Sequence, residues 1–445
     1  MLDDHFRANS LSTYSHEKSS LPADRAWSWI PSLYFSEGLP YVAVTALSVV
    51  MFKNFNASNA DITFYASWIT FPWIIKPLWS PLVDRFRTKR FWVVSLQLII
   101  AGGFAALAFA LHGASFFSWS VAIFLLIAFA SATHDIAADG FYLLTLPSHR
   151  QAAFVGVRNT FYRLAGLVGQ GGLVWLAGNL TQRWNSLSGA WTAVYWILCG
   201  GFVIAGLYHF AVLPRPSGDH AVATTNANSV GFVEAFATFF RKKDIATMLG
   251  FLLLYRFAEA LLLPMIRLFL LDRREVGGLG LTTQQLGLTY GTVGPVALLL
   301  GGLLGGYAIS RLGLKRLLWP MLFAMSAPNV AFILLAAFQP ADHYIVGCTV
   351  AIEQFGYGFG FTAYMVYMMM IADGEHKTAH YAICTGFMAM GMMLPGMTAG
   401  WFQQHLGYLN FFVGVCVATI LPIVATALVK VDPGFGKKIP APVRQ

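Results

Sequence analysis

Long apolar runs alternate with short polar connections along almost the whole chain. Most of these runs reach the roughly 20 residues that an α-helix needs to cross a bilayer. Lipid offers the backbone no hydrogen-bond partners, so only helices or closed barrels can cross, and barrel strands are much shorter than these runs. The predicted crossings are residues 28–52, 62–83, 91–111, 117–146, 152–178, 190–213, 245–270, 285–309, 317–338, 343–371, 379–402 and 407–429. The pattern therefore predicts an all-α membrane protein of about twelve helices.

The composition agrees with this interpretation and excludes several others. Hydrophobic residues make up 57% of the chain and charged residues 11%, whereas roughly 25% of a soluble domain is charged. The cysteines form no CxxC pair and lie in apolar runs, which predicts packing roles without disulfides; they are Cys199, Cys348, Cys384 and Cys416. We predict no metal and no cofactor. The sequence contains no ATP-binding P-loop, which disfavours a primary pump.

Basic residues outnumber acidic residues by 29 to 20. Their distribution indicates a membrane topology, because cytoplasmic loops carry an excess of Lys and Arg. Placing both chain ends in the cytoplasm leaves few basic residues in the outer loops, namely Lys53, Arg183, Arg273 and Arg274. We therefore expect a lipid bilayer and not nucleic acid as the partner of these charges, and we expect a monomer.

The longest polar connection, 214–244, divides the predicted helices six and six. The stretch Asp84–Arg90 after the second crossing recurs in a related form as Ser310–Arg316 after the eighth. Such a repeat indicates two related halves with a site between them. The predicted units are a cytoplasmic tail 1–27, a six-helix bundle 28–213, a cytoplasmic linker 214–244, a second six-helix bundle 245–430 and a cytoplasmic tail 431–445.

The repeated loop resembles the cytoplasmic latch of the major facilitator superfamily, in which an acidic residue and an arginine precede a basic pair. The latch residues that this resemblance implies are Asp84, Arg85, Lys89, Arg90, Arg311, Lys315 and Arg316. A closer resemblance, to the AmpG-like muropeptide permeases, rests on the stretches Tyr34–Pro40, Trp73–Arg85, Ala132–Ile136, Glu353–Gly358 and Ala399–Phe402. The resemblance implies the twelve-helix major facilitator fold with two pseudo-symmetric halves.

The resemblance to muropeptide permeases covers all the predicted crossings and implies a function. It implies proton-coupled import of a cell-wall amino sugar or anhydro-muropeptide by alternating access across a bacterial inner membrane. The typical substrate is N-acetylglucosaminyl-anhydro-N-acetylmuramic acid (GlcNAc-anhydroMurNAc), with or without peptide. The sequence departs from the family pattern at His134, where Gln is expected, and in the charged loop Gly374–Lys377. Coupled or passive transport of another sugar or of acyl-coenzyme A remains an alternative.

Ionisable residues inside the crossings are the first candidates for function, because one that faces lipid costs roughly 3 to 10 kcal/mol. They are Glu37, Lys76, Asp135, Asp139, Arg158 and Arg163 in the first half and Arg256, Glu259, Arg267 and Glu353 in the second. Acids and bases balance in each half. One interpretation is structural, with each base neutralising an acid. The other is functional, because a buried carboxylate beside a base can load and release a proton.

Asp135 and Asp139 share one face of the fourth crossing, since they lie four residues apart. Asp135 is the leading candidate for the proton carrier, because it is nearest the middle of the bilayer and Arg163 is expected at a similar depth. Asp139 lies nearer the cytoplasmic end, at the depth of Arg158. This match predicts a structural ion pair or a gate.

The remaining acids have weaker or more ambiguous claims. Glu37 and Lys76 could pair and thereby link the first two crossings. Glu259 follows Arg256 by three residues and can be satisfied within its own helix. Glu353 has no base at its level, which makes it the second candidate for a proton carrier.

His134 adjoins Asp135 and admits three interpretations. It could relay protons near neutral pH, but a hydrogen-bonded packing histidine is commoner. His134 and Asp139 also match the H-x4-D pattern of glycerolipid acyltransferases, a pair that belongs at a membrane face and not at mid-span. That acyltransferase is the alternative from another class; we predict a transporter and no enzyme. His376 and His380 suggest a metal site, but a solvated loop is the preferred interpretation.

Sugars are bound by aromatic faces and neutral hydrogen-bonding groups. Residues of this kind lie on crossings one, five, seven and ten, which resemble the cavity-lining helices of the superfamily. They are Tyr34, Tyr41, Asn159, Tyr162, Tyr255, Gln354, Tyr357, Tyr364 and Tyr367. Each type is individually commoner in packing than in binding, so the prediction rests on helix placement.

Glycines four residues apart predict close helix contacts, because a helix can approach where side chains are missing. Such pairs occur in 301–306 and at Gly396 and Gly400. Proline removes a backbone hydrogen bond and kinks a helix. Kinks are therefore predicted at Pro40, Pro264 and Pro395.

Overall fold

The computed structural model describes residues 26–80, 83, 86–146, 148–216, 219, 234, 236–372 and 377–436. All regular elements in these ranges are helical. They are α1 (Ile30–Asn54), α2 (Asn59–Ile69, Phe71–Ile75 and the 3-10 turn Lys76–Leu78), α3 (Lys89–Ala110), α4 (Phe116–Thr145), α5 (Ser148–Leu167, the π turn Val168–Leu173 and Val174–Trp184), α6 (Leu187–Val212), α7 (Ile245–Leu254 and Phe257–Leu271), α8 (Thr283–Leu312), α9 (Leu314–Ser326 and Asn329–Phe338), α10 (His343–Ala372), α11 (377–406) and α12 (408–418 and Ile420–Leu428). Most of the predicted tails and of the linker lies outside the described residues.

The all-α membrane fold predicted from the sequence is confirmed. Within the described ranges, 9 helices are long and apolar enough to cross a membrane. The last of them is divided into α11 and α12 at Gly407. The backbone of Gly407 is not helical there and has a positive φ of 72°. The other two helices, α2 and α5, are not among these nine; α2 is interrupted at its prolines, and α5 contains a π turn and the arginines Arg158 and Arg163. These additions account for the twelve helices.

Proline explains where the helices depart from regular geometry. Pro40 lies within α1 just before a π turn, Ala43–Leu47. In α2 the predicted continuous helix over 62–83 is wrong: Pro72 begins a new segment after Thr70, and Lys76–Leu78 forms a 3-10 turn around Pro77. Proline lacks the N–H that would continue the ladder, so the helix restarts at each of these points. The interruption positions Lys76, which belongs to the candidate site.

The apolar core is continuous at one end of the helices and divided at the other. One large cluster joins both predicted halves, from Val42 to Val415. Two smaller clusters each belong to one half, one around Trp29 and Phe141 and the other around Phe251. The smaller clusters contain Leu213 and Phe239, which flank the 214–244 connection or lie in its described part. The side on which they lie is here called the linker face. The halves therefore pack together towards the opposite face and separate towards the linker face.

Glycines allow the two halves to touch at the opposite face. A side chain at Gly291 in α8 would meet the backbone of Gln170 and Gly171 in α5. A side chain at Gly400 in α11 would likewise meet the backbone of Asn59 in α2. The predicted close contact at Gly400 is thus confirmed, and so is that at Gly301 and Gly305, where α8 meets α10. These backbone contacts leave no room for a side chain.

Candidate functional site

Two adjoining cavities occupy the space between the predicted halves. The α2–α11 cavity has a volume of about 370 Å³ and is lined by α1, α2, α7, α10 and α11. The α5–α8 cavity has a volume of about 520 Å³ and is lined by α5 and α8 together with α1, α7 and α10. Both include Tyr41, Leu263, Arg267 and Tyr357 in their linings. The site is thus assembled from both halves of the chain.

Asp135 is held by α2 and not by α5. Lys76 Nζ lies 3.6 Å from Asp135 Oδ2, and the indole Nε1 of Trp73 donates a hydrogen bond to the same oxygen at 3.1 Å. The predicted partner, Arg163, lines the α5–α8 cavity instead. The predicted pairing of Asp135 with Arg163 is therefore wrong. The break in α2 explains why Lys76 and not Arg163 is the partner of Asp135, because it brings Lys76 close to α4.

Asp139 and Arg158 are brought together, as their matching depth suggested. Arg158 Nη2 lies 2.9 Å from Asp139 Oδ1, and the Tyr34 hydroxyl donates to that oxygen at 3.1 Å. The guanidinium also lies over the Tyr34 ring, 4.5 Å from its centre. The side chains of Asp139 and Arg158 are 39% and 29% exposed. The pair therefore closes one side of the charged cluster while staying open to solvent.

Glu37 is buried and has no ion-pair or hydrogen-bond partner among the described residues. Its residue is only 6% exposed, and its Oε2 makes no hydrogen bond. No ion pair or hydrogen bond of Glu37 occurs within the described residues. The predicted pairing of Glu37 with Lys76 is therefore wrong, and Lys76 pairs with Asp135 instead. The charges that act on Glu37 are Asp135 and Asp139 on α4, Arg158 on α5 and Lys76 on α2. Glu37 is thus the unpaired acid of a cluster with three carboxylates and two bases.

Arg256 and Glu259 do not satisfy each other within α7. The helix is interrupted at Tyr255 and Arg256, which turns the guanidinium towards α10. There it donates a hydrogen bond to the Tyr357 hydroxyl and lies over the Phe361 ring, 4.5 Å from its centre. Glu259 faces the Asn329 amide instead, at 3.5 Å. The predicted pairing inside the helix is therefore wrong.

Glu353 and Arg267 are held by amides. The Gln354 side chain donates to Glu353 at 2.9 Å, and Glu353 is 1% exposed. Arg267 donates to the side-chain oxygen of Gln170 at 2.9 Å and lies over the Tyr290 ring. The Arg267–Gln170 bond joins the two halves. None of the carboxylates in the described residues forms an ion pair with Arg163, Arg256 or Arg267.

His134 belongs to a buried chain of polar side chains. Its Nε2 lies 3.1 Å from the Gln97 amide nitrogen, the Gln97 oxygen lies 2.9 Å from His209 Nδ1, and His209 Nε2 lies 3.0 Å from the Ser32 hydroxyl. This chain joins α4, α3, α6 and α1, which supports the packing role. Gln97 and His209 were not predicted from the sequence, although both are polar residues inside apolar runs.

Replacing His134 by Leu should destabilise the protein, whereas replacement by Gln should not. Leucine leaves the buried Gln97 amide without its acceptor, which costs about 1 to 3 kcal/mol, and a glutamine oxygen can accept in its place. Chemical unfolding in detergent measures the difference in the free energy of unfolding. Equal stabilities of the Leu and Gln variants would contradict the packing role.

The suggested metal site gains no support. His376 lies outside the described residues, and His380 Nε2 lies 3.1 Å from the Thr238 hydroxyl. Within the described residues, no three His, Cys, Asp or Glu side chains are grouped so that they could hold a metal ion.

The predicted sugar-binding residues separate into three groups. Tyr41, Tyr162, Gln354 and Tyr357 line the cavities. Asn159 is exposed on α5, and Tyr34 donates to Asp139. The third group, Tyr255, Tyr364 and Tyr367, lies outside both cavity linings.

For Tyr255, Tyr364 and Tyr367 the prediction of substrate binding is wrong. All three are buried in the core of the second half. The Tyr364 hydroxyl donates to the carbonyl of Leu252 at 2.6 Å, and the rings of Tyr255 and Tyr364 are stacked 5.5 Å apart. These rings pack in the apolar contact between α7 and α10 and line neither of the two cavities.

A polar network at the opposite face, here called the lock, joins α1, α2, α7, α11 and α12. Lys53 Nζ lies 2.5 Å from Asp272 Oδ1. The second oxygen of Asp272 accepts from the Tyr408 hydroxyl at 2.5 Å and from the Asn59 amide at 3.0 Å. Asn59 also donates to Gln403 at 2.8 Å. The lock was not predicted from the sequence, because Lys53 was expected in an outer loop.

The predicted latch is described only in part, because Asp84 and Arg85 lie outside the described residues. The backbone N–H groups of Lys89 and Arg90 donate to the carboxylate of Asp219, at 2.6 and 3.1 Å. Arg311 lies over the Tyr307 ring, and the remaining members, Lys315 and Arg316, are exposed. Asp219 thus caps the start of α3 on the linker face.

Comparison with known proteins finds both a family and relatives. The profile of the Major Facilitator Superfamily matches residues 33–376. The chain is 27% identical over 393 residues to the anhydromuropeptide permease of Escherichia coli (strain K12), covering 87% of this chain and 76% of that protein. It is 23% identical to a putative transporter, AmpG 4, of Rickettsia conorii, covering 84% and 89%.

Solved structures with the same fold include two transporters. The nucleoside transporter NupG superposes with a TM-score of 0.69 at 15% identity, over 92% of this chain and 100% of that chain. A D-xylose-proton symporter superposes with a TM-score of 0.68 at 12% identity, over 94% and 99%. At these identities the likeness concerns the fold alone.

Proposed function

The chain belongs to the Major Facilitator Superfamily, and from this premise we propose that it imports anhydro-muropeptides together with protons across a bacterial inner membrane. As a member of that family, with relatives named permeases and transporters, it is a multi-pass membrane transporter and not an enzyme. The acyltransferase alternative is thereby excluded. The substrate, the proton and the orientation in the membrane constitute the proposal.

An amino sugar as substrate is supported by a relative and by the chemistry of the cavity. The Escherichia coli relative is named an anhydromuropeptide permease. In the α2–α11 cavity the rings of Tyr41 and Trp73 stand 5.1 Å apart in a T-shaped contact, and the hydroxyl residues Thr45, Ser67 and Thr70 line the same wall. Aromatic faces beside neutral hydrogen-bonding groups suit a pyranose ring and its acetamido group.

Proton coupling is supported by one observation, the unpaired Glu37. An ionised carboxylate without a partner in low dielectric is costly, so such a group takes up a proton instead. The cluster of Glu37, Asp135, Asp139, Lys76 and Arg158 becomes neutral when one of its acids holds a proton. Lys76 and Arg158 are already paired with the aspartates. We therefore propose Glu37, and no longer Asp135, as the proton carrier.

Alternating access is supported by the asymmetry between the two faces. We propose that the linker face and both chain ends are cytoplasmic and that the bundles 28–213 and 245–430 rock against each other. The divided core at the linker face then corresponds to an inward-open state. The glycine contacts and the lock would hold the outer side closed in this state.

Replacing Asp272 by Ala should open the outer side more often. The change removes the carboxylate that Lys53 and Tyr408 share, and breaking a largely buried ion pair costs about 3 to 5 kcal/mol. We expect labelling of Ser67→Cys in the cavity by an outside maleimide to rise by about tenfold or more. The native cysteines are replaced beforehand.

Asp61→Ala is the matched control for this experiment. Asp61 lies beside the lock, but in the described residues its carboxylate accepts a hydrogen bond only from Ser58 at the start of α2 and does not join the halves. Equal labelling in the Asp272 and Asp61 variants would show that the lock does not hold the closed state.

Uptake into proteoliposomes tests the proposed function. Labelled GlcNAc-anhydroMurNAc is offered with and without an imposed pH gradient that is acidic outside. Accumulation above equilibrium only with the gradient is the expected result. If the wild-type protein moves none of this compound, the proposed substrate is wrong; if it moves the compound but never accumulates it, the transporter is a passive facilitator.

A further inference from the structure

The walls of the two cavities carry arginines that lack counter-ions. Arg163, Arg256 and Arg267 line the cavities, and none of them lies within ion-pair distance of a carboxylate in the described residues. The acids of the second half, Glu259 and Glu353, are held by amides. Among the described residues, the arginines of these cavities are therefore not neutralised by ion pairs with carboxylates.

Arg256 is the most constrained of these arginines. It is 7% exposed, and its Nε is a buried donor that has no hydrogen-bond partner in the described part of the chain. The guanidinium lies over the rings of Tyr357 and Phe361, 5.2 and 4.5 Å from their centres. These contacts fix the plane of the group. A rigid guanidinium with a free donor is suited to a carboxylate, which accepts from two neighbouring N–H groups.

The α2–α11 cavity offers aromatic contacts on one wall and a charged contact on the other. Tyr41 and Trp73 stand on the wall contributed by the first half, whereas Arg256 lies on the wall contributed by the second. Met388 and Met392 line the same cavity and provide an adaptable apolar surface there. A ligand that fills the cavity would therefore place a ring against the first half and a charged group against the second.

We infer that Arg256 binds a carboxylate of the transported compound, so that the transporter selects anionic substrates over neutral ones. This inference rests on the proposed function and adds the group by which the substrate is chosen. The carboxylate belongs either to the lactyl ether of the anhydro-muramyl ring or to an attached peptide. A neutral sugar would leave the guanidinium buried without a counter-ion.

Binding to the purified transporter in detergent tests the inference. The three probes are GlcNAc-anhydroMurNAc, its lactyl amide, and the disaccharide with a tripeptide on the lactyl group. We expect the wild-type protein to bind at least one carboxylate-bearing probe about 10 to 100 times more tightly than the neutral amide. That preference should fall to about one in Arg256→Gln and be reduced but present in Arg256→Lys.

The probes distinguish the two sources of the carboxylate. Preference for the free disaccharide assigns the lactyl group, and preference for the tripeptide form assigns the peptide. Arg274→Gln is the control, because Arg274 is an exposed arginine that donates to the carbonyls of Gln339 and Pro340, away from the cavities. It should keep the wild-type preference. If Arg256→Gln does not fold, the reduced preference of Arg256→Lys still tests the inference.

The inference and the proposed function fail in different ways. Equal binding of all three probes to the wild-type protein, or an unchanged preference in Arg256→Gln, overturns the role of Arg256 even if uptake is normal. Absence of uptake, with the preference for a carboxylate intact and dependent on Arg256, overturns import and leaves the anion site standing.

Discussion

Replacing Glu37 by Gln should abolish accumulation of GlcNAc-anhydroMurNAc under a pH gradient and leave exchange of labelled for unlabelled compound near the wild-type rate. Glutamine resembles the protonated acid in shape and cannot release a proton. One proton moved with each substrate supports about tenfold accumulation per pH unit. With a gradient of about one pH unit, the expected ratio of inside to outside concentration is therefore about ten for the wild-type protein and about one for the variant.

Two matched acids control this prediction. Glu259→Gln changes a carboxylate that is also buried but lies in the second half, beside Asn329, and it should retain accumulation. Asp135→Asn changes the neighbour that is paired with Lys76. If Asp135→Asn loses accumulation while Glu37→Gln retains it, the proton is carried by Asp135 and the proposal for Glu37 is wrong.

The charge of the substrate determines which gradient can drive transport. If Arg256 binds a singly charged anion and Glu37 carries one proton, the loaded transporter moves no net charge. A membrane potential, worth about 2.3 kcal/mol per charge per 100 mV, would then contribute nothing. The pH gradient alone would drive accumulation in the proteoliposome experiment, and for this reason it is the gradient to impose first.

Replacing Gly291 by Val should reduce uptake by about 100-fold. A side chain at this position would collide with the backbone of Gln170 and Gly171 across the α5–α8 contact. Backbone atoms cannot turn away as a flexible side chain can, so the cost lies at or above the usual 1 to 3 kcal/mol for overpacking. The substitution therefore destabilises the conformation that is closed at the opposite face. Initial uptake rates measure the loss.

Gly306→Val provides the control on the same helix. Apart from its chain neighbours and its own helix backbone, no described atom lies within 4 Å of a side chain built at Gly306, so the same substitution should leave uptake unchanged there. Labelling of Ser67→Cys from outside should rise in the Gly291 variant alone. Uptake by the Gly291 variant at the rate of the Gly306 variant would show that the two helices need not touch during transport.

The membrane-spanning helices could be predicted from the sequence because lipid imposes a local condition on each of them. Every crossing must satisfy its own backbone, so length and apolar content are visible in a single run of residues. The prediction was least accurate in α2, where Pro72 and Pro77 interrupt the helix. The prolines were visible in the sequence, but the place where the chain restarts depended on the packing around them.

The partners of the buried charges could be predicted less well. Matching depth placed Asp139 beside Arg158, which the structure also brings together. It failed for Asp135 because depth contains no information on the direction in which a helix faces. The interruption at Lys76 turned that base towards α4, and the interruption at Arg256 turned the guanidinium away from Glu259. Because Lys76 pairs with Asp135, Glu37 is left without a partner among the described residues.

The sequence by itself determined the class of the protein, the repeated halves and the set of ionisable residues placed within the membrane. These properties depend on residue type and spacing, which a single chain displays directly. Only the tertiary structure decided which of those residues lack a partner, which tyrosines face the cavities, and which face of the protein is closed. The physical reason is that each of these depends on how helices distant in sequence rotate and approach one another.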